Sequence, residues 1–190
     1  MSKFLSEITS GVHGQKAKAA YFMAFGAHKG QMRKYTNEHY INHPLAVAEI
    51  VSRTVTDNFD HAIAVSSALL HDVVEDTKVT RDDIWNYFGA LVGETVDWLT
   101  DISIPEDGNR KIRKKIDREH IAKASPLAKT IKLADLIDNS RSIVERDPNF
   151  AKVYMEEKRL LLEVLHHGDK QLLVEAYKIV EDYFNKFKVQ

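Results

Sequence analysis

Seven consecutive residues, His71-Asp72-Val73-Val74-Glu75-Asp76-Thr77, bring together one imidazole, three carboxylates and a hydroxyl. Adjacent His and Asp offer a first-row metal ion one nitrogen and one oxygen from neighbouring backbone positions. Glu75 and Asp76 follow within about one helical turn, near enough to reach a water on the same ion. The run that leads into them, residues 62–70, is apolar apart from Ser66 and Ser67, so the charged groups stand at the edge of a core. Buried without partners they would be costly, and a cation satisfies several of them at once. Taken alone, the same residues also fit a helix C-terminus that ends in a solvated acidic turn.

Two further segments bear on that choice. In residues 40–48, His43 precedes Pro44, a residue suited to the first turn of a helix. In residues 130–139, Asp135 interrupts a helical apolar pattern. Either one alone is usually a cap or a satisfied polar group. The ordered set His43, His71, Asp72 and Asp135 supplies two imidazoles and two carboxylates from three helices. Mixed nitrogen and oxygen ligation of this kind suits Mn, Fe, Zn or Co, and leaves positions for water and substrate.

The segments Ala27-His28-Lys29-Gly30-Gln31-Met32-Arg33-Lys34, Tyr40-Ile41-Asn42-His43-Pro44 and Ala68-Leu69-Leu70-His71-Asp72-Val73-Val74-Glu75-Asp76-Thr77 continue with Phe88-Gly89 and with Ile131-Lys132-Leu133-Ala134-Asp135 through Asn139. In this order and spacing they resemble the HD-domain metal phosphohydrolases, and specifically the (p)ppGpp hydrolase domain of the RelA/SpoT family. The dipeptide by itself is a weak signal, whereas HDVVEDT with HKGQMRK, INHP and KLAD is specific. The resemblance runs from about residue 20 to about 145, with compatible helices at about 150–187. A chain of 190 residues is one domain's worth and leaves no room for a synthetase. The whole chain, 1–190, therefore reads as a single HD-type hydrolase domain, most similar to the small stand-alone SpoT homologues, whose Ser-Pro-Leu-Ala-Lys segment is matched by residues 125–129.

The resemblance implies roles. Manganese would be the cofactor, with Fe, Co or Zn admitted by the same ligands. Glu75 and Asp76 match the pair that orients and deprotonates the attacking water, Glu75 being the favoured general base. Arg33 and Lys34 match positions beside the guanine, and Asn139 and Ser142 match nucleotide contacts, Ser142 standing where the family commonly has Thr. Lys132 is a phosphate contact by proximity, while His28 and Gln31 are read as structural parts of their motif. The implied reaction is Mn-dependent hydrolysis of (p)ppGpp at the 3′-pyrophosphate, giving GDP or GTP and pyrophosphate, in a cytoplasmic enzyme of the stringent response. Where bifunctional members read Asp-Arg-Leu-His-Asn, this chain has Asp135-Leu136-Ile137-Asp138-Asn139. Loss of a basic residue at Leu136 and gain of a carboxylate at Asp138 keep open an alternative, a related HD phosphohydrolase acting on a dNTP, a nucleoside monophosphate or the 2′-phosphate of NADPH. A nucleotide-sensing module with a vestigial site is the third reading.

The elements that must position these groups are helices. Apolar residues recur at spacings of three and four, and only four prolines and eight glycines punctuate the chain. The pattern predicts an all-α bundle with helices near 4–11, 16–30, 43–57, 60–73, 80–88, 89–101, 109–122, 126–145, 150–166 and 170–187. Asp60 and Thr80 are the expected N-caps. Residues 104–109 read as a loop, followed by the basic run Arg110-Lys111-Ile112-Arg113-Lys114-Lys115, a solvated helix face or a rim for substrate phosphates. His166 and His167 read as surface, and His13, His39, His61 and His120 show no ligand context. There is no alternating strand pattern and no Gly-rich phosphate loop. Apolar residues make up 44%, charged residues 29%, and the net charge is −1, which argues against a nucleic-acid partner. No stretch is long enough for a membrane span. With no cysteine, disulfides and thiolate metal sites are excluded. The expected partner is a small nucleotide, and a homo-oligomer is admitted.

Overall fold

The computed structural model describes residues 3–8, 11–55 and 58–188. Its secondary structure is helical, and among the described residues the sole β pairing is an isolated antiparallel bridge between Met32 and His39. The chain divides into two compact units, residues 1–100 and 101–190. Residues 9, 10, 56 and 57, where two of the expected helices end, lie outside the described residues.

The first unit contains α1 (Lys3–Ile8), α2 (Gly11–Ala27), α3 (Asn42–Ser52), α4 (Asn58–Leu70), α5 (Val73–Asp76), α6 (Arg81–Phe88) and α7 (Ala90–Leu99). Its centre is α4, against which α2, α3 and α7 pack. Residues 62–70 are buried on every side of that helix, as expected of a segment with no polar face. Ser66 is accommodated there by donating back to the Ala62 carbonyl at 2.6 Å. Asp60 falls inside the first turn of α4 and is not its N-cap, because the helix begins two residues earlier; a carboxylate there still meets the positive end of the helix. Thr80 does cap α6. Its hydroxyl accepts from the Asp83 amide, and the Asp83 carboxylate accepts from the Thr80 amide.

The expected helix over 60–73 stops at Leu70. His71 and Asp72 form a turn, and the single turn α5 follows. The break has a local cause: His71 Nδ1 lies 2.7 Å from the Ala68 carbonyl and satisfies one of the acceptors left open at the end of α4. Between α2 and α3 the chain reverses through Gly30, whose φ of +82° is a conformation that favours glycine. The Met32–His39 bridge then closes the loop and returns Tyr40 beside Gln31, the Tyr40 amide donating to the Gln31 carbonyl at 3.0 Å. Pro44 is tolerated in the first turn of α3, where its missing N–H costs no helical bond.

The second unit contains a 3-10 turn (Pro105–Asp107), α8 (Arg110–Ile121), α9 (Pro126–Arg146), α10 (Pro148–Leu162) and α11 (Lys170–Lys188). α9 packs on α10 and α11, and its buried residues Ile131, Leu133, Leu136 and Ile137 share a core with Met155, Leu162 and Leu165. The basic run at the start of α8 is a paired helix face: Arg110 makes a two-pronged contact with Glu157, Lys114 binds Asp101, and Lys115 reaches Glu119. Gly168, in the α10–α11 turn, lies against the backbone of α9. A Cβ there would stand 3.1 Å from the Lys129 carbonyl carbon and the Thr130 amide nitrogen. Gly168→Ala should therefore destabilise this unit by about 1–3 kcal/mol, the usual range for overpacking, read as a fall in the denaturant midpoint at unchanged slope.

Candidate metal centre

His71 directly follows the last residue of the central helix and His43 lies in the first turn of α3, both only 1% exposed. The packing of α3 on α4 turns their rings toward one another, with Nε2 atoms 3.2 Å apart. Asp72 Oδ2 lies 3.0 Å from His71 Nε2 and 3.5 Å from His43 Nε2. Three donor atoms thus form a small triangle. Ligands held at about 2.1 Å from one ion stand about 3.0 Å apart at right angles and about 3.4 Å apart at tetrahedral angles. The triangle fits one divalent cation. The tautomer fits as well: a carbonyl only accepts, so His71 Nδ1 carries the proton and its Nε2 offers a lone pair to the centre.

Tyr40 is the residue at this site that sequence reasoning missed as a participant. Its hydroxyl donates to Asp72 Oδ2 at 2.6 Å, the same oxygen that faces both imidazoles. Burial, then the charge of Asp72 beside it, holds the phenol well above its ordinary range, so it remains a donor. The nearby Asp76 carboxylate acts on the phenol in the same direction. Glu75 and Asp76 are exposed on α5, one turn beyond Asp72, and Gln31 Nε2 approaches Asp76 Oδ2 at 3.5 Å. The available signal for Tyr40 was its place three residues before His43 inside the motif. Arg33 and Lys34 lie in the bridged loop, Arg33 half-buried and Lys34 exposed with its ammonium 5.0 Å from the Tyr35 ring.

The remaining expected site residues lie on α9 in the second unit. Asp135 is buried, accepts from Asn139 Nδ2 at 2.6 Å through Oδ1, and has Lys132 Nζ 3.2 Å from Oδ2. Asn139 thus orients Asp135, while Ser142 donates to the Asn139 backbone carbonyl. Leu136 points into the core. Sequence reasoning also missed a gathering of lysines around Asp135 and Asp101. Besides Lys132 it includes Lys114, 2.5 Å from Asp101, and Lys158 on α10. Desolvation, then the nearby Lys132 charge, pulls the Lys158 ammonium down to about 8.

An all-helical chain whose His-Asp pair ends a buried helix and meets a second histidine defines a metal-binding HD fold. The HD-domain family profile matches residues 20–161, and the chain belongs to that family, among its SpoT-type hydrolases. It is 39% identical to the Xenopus tropicalis guanosine-3′,5′-bis(diphosphate) 3′-pyrophosphohydrolase MESH1 over 135 residues, 69% of this chain and 70% of that one. The human MESH1 is 38% identical over 133 residues, 68% of this chain and 69% of its own. The Haemophilus influenzae enzyme of the same description is 37% identical over 134 residues, 67% of this chain but 18% of that longer protein. Among solved structures, a metazoan orthologue of SpoT that hydrolyses ppGpp superposes with a TM-score of 0.77 at 30% identity, covering 88% of this chain and 95% of that one. A Listeria monocytogenes protein superposes with a TM-score of 0.63 at 25% identity, covering 80% and 99%.

Proposed function

We propose that this protein is a manganese-dependent hydrolase of (p)ppGpp that releases pyrophosphate from the 3′ position and leaves GDP or GTP. The observation that carries the reading is the His43–His71–Asp72 triangle, with both imidazoles buried and the carboxylate half-buried, in a chain similar to named 3′-pyrophosphohydrolases over two thirds of its length. Asp135 completes the ligand set on the strength of its motif. A bound divalent cation supplies charge neutralisation at phosphorus and a water acidified toward neutrality. Glu75 takes the proton of the attacking water, and Asp76 orients it. Arg33 and Lys34 hold the guanine, Arg33 by laying its flat guanidinium along the ring. Asn139 and Ser142 contact the nucleotide, and the lysines near Asp135 suit its phosphates.

Two further points belong to the same reading. Among the described residues no helix is long and apolar enough to cross a membrane, and with no cysteine in the chain we place the enzyme in the cytoplasm. The burial of Leu136 supports treating that departure as a packing change. Asp138, whose charge is felt at Tyr154, is the position where another nucleotide preference would arise.

The test is a metal-stripped assay with Mn²⁺ restored, offering ppGpp, NADPH, dATP, dGTP and AMP in parallel with products resolved by chromatography. GDP and pyrophosphate from ppGpp, formed faster than any other product, are expected, and EDTA should abolish them. Preferential turnover of another nucleotide would keep the metal chemistry and overturn the substrate.

A further inference from the structure

The motif that supplies His28 and Gln31 is explained neither by the metal ligands nor by the guanine contacts. Both residues converge on Tyr40. The His28 ring lies against the Tyr40 ring with centroids 4.6 Å apart and planes 32° apart. His28 is 3% exposed and its Nδ1 donates to Gln31 Oε1 at 2.8 Å. Gln31 is tied to Tyr40 through the backbone, accepting from its amide, and its side-chain amide turns the other way toward Asp76. Beyond Tyr40 the same column of rings continues to His43 at 5.9 Å and on to His71 at 5.0 Å. The Tyr40 hydroxyl ends on the one Asp72 oxygen that faces both imidazoles.

We propose that Tyr40 is a positioning residue for the metal centre, with the His28–Gln31 pair as its brace. Its hydrogen bond selects which Asp72 oxygen faces the cation and holds that carboxylate in one rotamer before the cation arrives. An unrestrained aspartate would lose that rotational freedom on binding, and the preset bond removes the cost. Partners behind a ligand of this kind are worth about 10–100-fold in metal affinity. Because Gln31 also reaches Asp76, the brace sets the distance between the metal ligand and a catalytic carboxylate. The histidine and glutamine of the HKGQ motif thereby gain a role without touching substrate.

This inference rests on the metal assignment above, and the experiment separates the two. Mn²⁺ is titrated calorimetrically into the metal-free full-length chain, with no nucleotide present, for wild type, Tyr40→Phe, Gln31→Ala and Asp72→Asn. Phenylalanine keeps the ring packing and removes only the hydroxyl, so the metal-free melting temperature should be unchanged. Affinity is expected to fall about tenfold or more for Tyr40→Phe and several-fold for Gln31→Ala, with a broadened Mn²⁺ EPR signal and a fall in kcat at nearly constant KM. Gln31 is half-buried, so its variant reads the brace even if Tyr40→Phe fails to fold. Loss of Mn²⁺ binding in Asp72→Asn, with both brace variants within twofold of wild type, would overturn the role of Tyr40 and leave the metal centre standing. Wild-type affinity in Asp72→Asn would overturn the metal assignment itself.

Discussion

Replacing Asp72 by Asn should abolish Mn²⁺-dependent turnover, lowering kcat/KM by on the order of a thousandfold or more. A catalytic metal contributes several kcal/mol of charge stabilisation, and each 1.36 kcal/mol is a factor of ten in rate. The neighbourhood makes Asp72 the member whose loss costs most. Its Oδ2 is the one anionic oxygen in the triangle, 3.0 and 3.5 Å from two nearly fully buried imidazoles. An amide keeps the shape but offers no charge, and either orientation spoils the centre: an NH₂ facing the imidazoles displaces the cation, and a carbonyl binds it weakly. The Tyr40 hydroxyl, now donating to 2.6 Å from a carboxylate, would also lose its charged acceptor. The helices should survive, because the Asp72 side chain makes no capping bond to α5. Calorimetric Mn²⁺ titration beside far-UV circular dichroism checks both halves. Full activity in this variant would sink the assignment of Asp72 as a ligand.

Glu75→Gln separates the water-activating role from metal binding. Glu75 lies on the exposed side of α5, one turn beyond Asp72 and outside the triangle. The variant should bind Mn²⁺ with wild-type affinity while kcat falls about 10²–10⁴-fold, the usual contribution of a positioned general base. Departure of the metal together with activity would make Glu75 a ligand and contradict the division of roles. Asp76→Asn should have a smaller effect, since Asp76 is assigned to orient the water and not to take its proton.

Much of this protein is determined by local sequence. The spacing of apolar residues specifies helices, and the absence of a polar face over residues 62–70 specifies a buried one. Thr80 was legible as a cap because a cap with its reciprocal carboxylate three residues later is a local device. The residue types proposed as ligands stand in the sequence for the same reason, since HD, HP and KLAD are short words in the chain. Helix ends were less so. The break at His71 depends on a side chain turning back to the Ala68 carbonyl, and a continuous apolar pattern does not announce it.

Tertiary structure decided the rest. That His43 and His71, 28 positions apart, meet at 3.2 Å follows from how α3 packs on α4. That Tyr40, and not a neighbour in its motif, reaches Asp72 follows from Gly30 and the Met32–His39 bridge, which return the chain to the site. Leu136 looked like a lost charge in the sequence and is a core side chain in the fold. Periodicity reports which face of a helix is apolar because that information repeats every 3.6 residues along one element. The distance between groups on two elements has no such repeat. It is set by the close packing of everything between them, which only the folded chain possesses.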